Sequence, residues 1–237
     1  MTEIASIMIF AAGFGTRMRP LTATRPKPLV PLAGRPMIDR ALELADAAGI
    51  PRKMVNAHYL AGQIVAHLAG RPDVEVIVED PILETGGGLV NALPALEGDP
   101  IATLNPDALF CGPNPLRTLA AHWDGARMDA LLLLVPPVRA VGHGGRGDFI
   151  LREDVPGPLR RLSAGEDGLI HTGVQLISRR ALAPFPGGAF SLNRIWDRLA
   201  ADGRLFGLVH EGLWADIGTP WGLRLAEAML EKGEECG

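Results

Sequence analysis

Residues Ser6 to Leu32 read SIMIFAAGFGTRMRPLTATRPKPLVPL. The first seven, Ser6 to Ala12, form a continuous apolar run, the pattern of a strand buried on both faces of a parallel sheet. Glycines follow at 13 and 15, and then Arg17, Arg19, Arg25 and Lys27 are interleaved with Pro20, Pro26, Pro28 and Pro31. A long basic loop stiffened by proline directly after the first strand is the shape of an anion-binding segment. In open α/β sheets, ligands bind beyond the carboxyl ends of the strands. Gly13 and Gly15 let backbone N–H groups approach such a ligand, and Arg17 and Lys27 supply charged donors.

The loop fits neither common nucleotide motif. A dinucleotide fingerprint needs GxGxxG, but GFGTRM places Met18 at the third glycine position, and no GxxxxGK[ST] run occurs. It is therefore a phosphate-type loop of another kind.

Downstream, apolar strand-like runs alternate with helix-like ones. Strands are expected at Lys53–Ala57, Val74–Asp80, Ile101–Asn105 and Ala130–Pro137. Helices are expected at 36–49, Tyr59–Gly70, Gly88–Glu97 and Pro115–Trp123. This alternation predicts a mostly parallel sheet covered on both faces. From Arg139 the rhythm changes to Gly-rich and mixed-polarity segments, then a helix at Ser191–Gly203, a strand at Arg204–Gly212 and a last helix at Thr219–Gly233. The chain reads as one domain over 1–237, with 1–138 mainly for one ligand and 139–237 as a smaller sub-domain laid against it.

Composition narrows the function classes. The chain has 237 residues, 47% of them hydrophobic, and a net charge of −4, so nothing draws it globally to nucleic acid or to an anionic membrane. The longest apolar run is too short to span a bilayer, and the N-terminus lacks a basic signal region. Cys111 and Cys236 have no CxxC partner and make no disulfide framework, which fits a reducing cytoplasm. The six histidines show no zinc-ligand spacing, no GxSxG nucleophile appears, and the tryptophans are too scattered to stack nucleic-acid bases. Nothing in the pattern bears on oligomeric state.

Two aspartates complement the basic loop. Asp107 lies in LNPDALF past one strand, and Asp216 lies in WADIGTP after another. Two loop carboxylates plus substrate phosphates are a usual way to hold Mg²⁺; either alone reads first as a turn or cap residue. ETGGG (Glu84 to Gly88) either lets a flat ligand approach the backbone or starts a glycine-rich helix. GHGGRGDF (Gly142 to Phe149) reads as a lid or sugar-binding segment.

Taken together, AAGFGTRMRPLT…PKPLVPL resembles the GxGTRMxPLT…PKPL signature of sugar-1-phosphate nucleotidylyltransferases, and the likeness continues through ETGGG, Asp107, GRGDF, HTG and WADIGTP. LETGGG, GHGGRGDF, WADIGTP and the short length most resemble the family's N-acetylmuramate α-1-phosphate uridylyltransferase branch of bacterial cell-wall recycling. The resemblance implies the nucleotide-diphospho-sugar transferase fold, a Rossmann-like three-layer sandwich with a mostly parallel mixed sheet and a small sugar-binding sub-domain. It implies a nucleoside triphosphate and a sugar-1-phosphate as substrates and Mg²⁺ as cofactor. The implied nucleotide site comprises Ala11, Ala12, Gly13, Gly15, Thr16, Arg17, Lys27, Asn56, Glu84, Gly86 and Gly87. Asn105, Gly147, Asp148, Thr172 and Gly173 would meet the sugar phosphate, Asp107 and Asp216 the metal, and Arg17, Lys27 and Asp107 would carry catalysis.

Two departures stand out. Pro106 replaces the glycine that usually precedes the metal aspartate, and PLRRLSAGEDGL lacks the family's sugar-phosphate lysine, offering Arg160 and Arg161 instead. Other base and sugar pairs, such as GTP with mannose-1-phosphate or TTP or ATP with glucose-1-phosphate, and a non-catalytic nucleotide-sugar sensor, share most of these features.

Overall fold

The structure is a computed structural model that describes residues 2–152, 156–232 and 236. In chain order the first half contains β1 (Ser6–Phe10), β2 (Pro31–Leu32), β3 (Arg35–Pro36), α1 (Met37–Ala47), β4 (Arg52–Ala57), α2 (Ala61–Leu68), β5 (Val74–Val78) and α3 (Glu84–Ala92). Then come β6 (Ile101–Leu104), β7 (Ala108–Phe110), α4 (Pro115–His122), β8 (Ala130–Val135), β9 (Ala140–Val141), β10 (Phe149–Leu151) and β11 (Gly157–Arg161). The chain continues through β12 (Ile170–Ile177), α5 (Arg179–Leu182), α6 (Asn193–Ala201), β13 (Leu205–Val209), β14 (Trp214–Asp216) and α7 (Pro220–Glu231).

Nine strands form one sheet in the order β10-β11-β13-β8-β12-β6-β1-β4-β5. β5, β4, β1 and β6 are parallel neighbours, β8 and β13 run the same way, and β12 and β11 are reversed. The mixed, mostly parallel sandwich expected from the alternation is therefore present. Side chains along each central strand alternate between two cores. Ile7, Ile9, Leu131 and Leu133 face α1, α2 and α4 with Ile38, Leu42, Ile64 and Leu116, while Met8, Leu132 and Leu134 face α3 and α6 with Leu89, Ile195 and Leu199.

A second sheet, β7-β14-β9, lies outside the main one. Sequence patterning misses it, because strands of two or three residues carry no measurable period. Beneath it a third core joins Leu109, Ala215 and Ile217 to Leu223, Ala226 and Met229 of α7 and to Met18, Val30 and Leu32 of the basic loop. The loop is thus anchored. Met18 and Leu32 are fully buried, each contributing about 1.5–3 kcal/mol by burial.

Helix starts follow the sequence where a cap is present. Asn114 accepts from the N–H groups of Leu116 (3.0 Å) and Arg117 (3.1 Å), and Thr219 from Gly222 (3.1 Å), each followed by proline at the first helical position. Thus Thr219 and Pro220, the end of WADIGTP, are a helix start. One helix differs from expectation: α3 begins at Glu84 and ends at Ala92, so ETGGG lies inside it.

Contrary to the reading of the two cysteines as unlinked, Cys111 and Cys236 form a disulfide across 125 residues. A separation that long leaves no spacing signal. The link ties the chain after α7 to the residue following β7.

One strand in from the sheet edge, Lys53 of β4 is 3% exposed. Its ammonium donates to Asp46, Asp73 and the Ile50 carbonyl, and Arg71 donates to Asp73 at 2.8 Å. The Arg71 and Lys53 hydrogen bonds hold the Asp73 carboxyl well below the usual carboxylate range. A depressed folded-state pKa adds stability that is fully present above the unfolded value of about 3.9 and fades as pH falls toward the folded one. Asp73→Asn is therefore expected to lower Tm at pH 7, and its Tm curve should converge on wild type progressively below about pH 4. Parallel curves down to pH 3 would remove Asp73 as the source.

Candidate active site

A cleft of about 320 Å³ opens at the carboxyl ends of β1, β4 and β6. It is lined by Phe10–Gly13, Gly15–Arg17, Lys27, Pro28, Asn56, Ile82, Glu84, Thr85, Asn105–Asp107 and Gly218. Eleven of the residues expected from the sequence thus converge on one cleft: Ala11, Ala12, Gly13, Gly15, Thr16, Arg17, Lys27, Asn56, Glu84, Asn105 and Asp107.

Gly15 shows how the loop closes. Its φ is +62°, and a Cβ there would stand 2.9 Å from the Lys27 Cβ, so the turn admits only glycine without strain. The Gly15 carbonyl accepts from the Met18 N–H (2.9 Å) and the Thr22 hydroxyl (2.8 Å), which folds the segment back on itself. Lys27 is thereby returned to the cleft floor, where its ammonium pairs with the Asp107 carboxylate. The side chains are 13% and 29% exposed, so both groups remain open to the cleft.

Asp216 reaches the same region through β14. It pairs with Ala108 across the small sheet, and the Ile217 N–H donates to the Asp107 carbonyl at 2.9 Å. The sequence placed Asp216 in a loop after a strand; it is the last residue of β14. Pro106 is accommodated because the loop's bonds come from its neighbours: the Asn105 N–H donates to the Gly173 carbonyl at 3.0 Å. His143 lies beside Asp216, with Nδ1 3.4 Å from Oδ2. Arg17 is also close by: its guanidinium nitrogens lie 3.4 Å from where a Cβ on Gly218 would stand, and the same point is 2.9 Å from Asp216 Oδ1. Among the described residues Arg17 has no acidic partner.

The other expected residues do not line the cleft. Gly86 and Gly87 do not offer their N–H groups to a ligand, because both donate to the Phe190 carbonyl (2.8 and 3.0 Å). The Thr172 hydroxyl donates to the Leu133 carbonyl at 2.9 Å, and Asp148 accepts the His171 N–H at 2.8 Å. Gly147 packs on Gly168, and Gly173 backs Asn105. Next to Thr172, the His171 ring packs on Trp196, and burial pushes its imidazole down to about 4, so it is neutral at pH 7. Arg160 and Arg161 are engaged elsewhere, the first with Glu166 at 2.6 Å and the second with Asp197 at 2.7 Å.

Phe10, Pro28, Ile82, Thr85 and Gly218 line the cleft without having been expected as site residues. Thr85 and Gly218 sit inside motifs already noted. Ile82 is an apolar loop residue with no signal of its own.

The cleft chemistry has clear relatives. Residues 7–169 match the MobA-like NTP transferase domain. The chain is 40% identical over 233 residues to N-acetylmuramate alpha-1-phosphate uridylyltransferase of Caulobacter vibrioides, covering 94% of this chain and 96% of that one. It is 34% identical to the Neisseria meningitidis protein of the same name, again over 94% and 96%. The fold matches HddC from Yersinia pseudotuberculosis complexed with GMP-PN, with a TM-score of 0.75, 23% identity, and 96% and 100% coverage. The chain therefore belongs to the MobA-like NTP transferase family, and within it to the sugar-1-phosphate nucleotidyltransferases.

Proposed function

We propose that the chain transfers a uridylyl group from UTP to N-acetylmuramate α-1-phosphate in a Mg²⁺-dependent reaction of peptidoglycan recycling. The observation that carries the chemistry is the Lys27–Asp107 pair on the floor of a glycine-walled cleft, with Asp216 brought beside it by β14. The substrate pair is supported by two relatives of that name that match along nearly their whole length. Such a reaction belongs in the cytoplasm, where nucleoside triphosphates are made.

In this reaction a sugar-phosphate oxygen attacks the α-phosphorus, the α–β P–O bond breaks, and pyrophosphate leaves with the electron pair. The attacking phosphate is already anionic at neutral pH, so no general base is needed. The protein must instead align two polyanions and offset their repulsion. Backbone around Ala11 to Gly15 holds the triphosphate, and Arg17 supplies the unpaired cation nearby. Lys27 exchanges Asp107 for the reacting phosphates.

The donor set fits Mg²⁺. Asp107 immediately precedes β7 and Asp216 ends its neighbour β14, and among the described residues no third metal-binding side chain completes a cage. A pair of carboxylates with room for water and phosphate oxygens is what this ion takes, and the Lys27 ammonium on Asp107 supports a spot that favours a cation. Asp107 and Asp216 would hold the ion, which when bound supplies Lewis-acid polarisation of the phosphates.

We assign residues 1–138 mainly to the nucleotide and 139–237 mainly to the sugar phosphate. In support, every residue lining the cleft except Gly218 comes from the first part. Gly173 backs Asn105 through its carbonyl and Thr172 is tied to the Leu133 carbonyl, so both serve to hold that wall, while Asp148 is exposed with one carboxylate oxygen on the His171 N–H.

Three measurements test this reading. Asp107→Ala should lower turnover by on the order of 10²–10³ with the circular dichroism spectrum unchanged, and wild-type turnover would remove the metal role. Lys27→Ala should lower kcat; a change confined to the sugar-phosphate KM would contradict its place on the reacting phosphates. A matrix of nucleoside triphosphates against sugar-1-phosphates, read by pyrophosphate release, should peak at UTP with N-acetylmuramate α-1-phosphate. A peak at GTP with mannose-1-phosphate would reassign the substrates, and release from no pair would make the chain a sensor.

A further inference from the structure

Glu79 follows β5, belongs to no motif, and is 3% exposed. It does not line the cleft. Its Oε1 accepts from Asn56 Nδ2 at 2.7 Å, and its Oε2 accepts from the Leu83 N–H at 2.9 Å. Asn56, also 3% exposed, accepts the Ala11 N–H on Oδ1 at 2.8 Å.

Both ends of this chain of bonds are backbone N–H groups, which can only donate. That fixes the polarity throughout. The Ala11 N–H requires the amide oxygen of Asn56, which turns the Asn56 NH₂ toward residue 79. Residue 79 must then accept on both arms, from that NH₂ and from Leu83. A carboxylate of this reach does so, whereas glutamine would set its own NH₂ against one of the two donors. Space is equally restricted. A Cβ on Gly88 would lie 2.6 Å from Glu79 Oε1 and 3.0 Å from Asn56 Nδ2, so the third glycine of ETGGG makes room for this pair.

The relay joins the two walls of the cleft. Ala11 lies in one wall, and Leu83 sits between Ile82 and Glu84 in the other. We propose that Glu79 is a positioning residue for nucleotide binding, acting through Asn56 to set the backbone of both walls while touching no substrate. Asn56 is then a link in the relay, with its amide oxygen and one N–H turned away from the base. This inference rests on the reading of the cleft as the nucleotide site.

The test uses the full chain with Mg²⁺ and UTP as probe. Titration calorimetry gives Kd, pyrophosphate release gives kcat and both KM values, and thermal melts report folding. Glu79→Gln and Asn56→Asp each break the polarity at one bond, and each should raise Kd and KM for UTP about tenfold or more, leaving the sugar-phosphate KM in place. In the double variant Asn56→Asp/Glu79→Gln the pattern closes again. The carboxylate introduced at position 56 would accept from the Ala11 N–H and from the amide introduced at position 79, and the oxygen of that amide would accept from the Leu83 N–H. UTP affinity should return to within about threefold of wild type.

Wild-type UTP affinity in Glu79→Gln, or a double variant no better than the singles, overturns the relay. If the singles do not fold, a double variant that folds and binds UTP supports it; one that folds without binding, or does not fold, overturns it. A wild-type chain that binds none of the four nucleoside triphosphates overturns the nucleotide reading itself, an outcome distinct from failure of the relay alone.

Discussion

The pairing of β7 with β14 is the contact on which the site depends. It sets Asp216 opposite Ala108 and so brings two carboxylates together from distant parts of the chain. Like charges brought close repel. Lys27 offsets this by pairing with Asp107. To reach it, the chain must run from β1 out and back, which explains a long loop rather than a tight turn. Met18, Val30 and Leu32 fix the loop on the same small core that carries the acidic strands, so cation and acids share one foundation.

Much of this was legible because its signals are local. The apolar run of β1, the glycine and proline pattern of the loop and the alternation of strands with helices all express short-range preferences. Asp107 and Asp216 could be picked out by residue type and by position after apolar runs. The mechanism that joins them could not, since Ala108–Phe110 and Trp214–Asp216 are too short for a period and find each other only in space. The Cys111–Cys236 link was hidden for the same reason.

Glycines were the least faithful guides. Gly13 and Gly15 line the cleft as their pattern implied. Gly86, Gly87 and Gly88 serve packing instead, two of them bonded to the Phe190 carbonyl and the third beside the buried Glu79 and Asn56 side chains. Both arrangements need backbone without side chain, so composition alone does not separate them. Glu79 marks the opposite limit. Its role comes from two backbone donors fixed by the fold, and no residue type or spacing records that.

The disulfide has a topological effect on the acidic strands. By joining the residue after β7 to position 236, it closes a covalent ring that contains α4 through α7, Asp216 included. Asp107 lies just outside the ring, on the other side of β7 from its closure. In the oxidised chain, α7 cannot drift far from β7 even when its packing is lost, because the ring shortens the paths open to it. The two acids are therefore held in one neighbourhood twice, by strand pairing and by a covalent circuit, and only the first survives reduction.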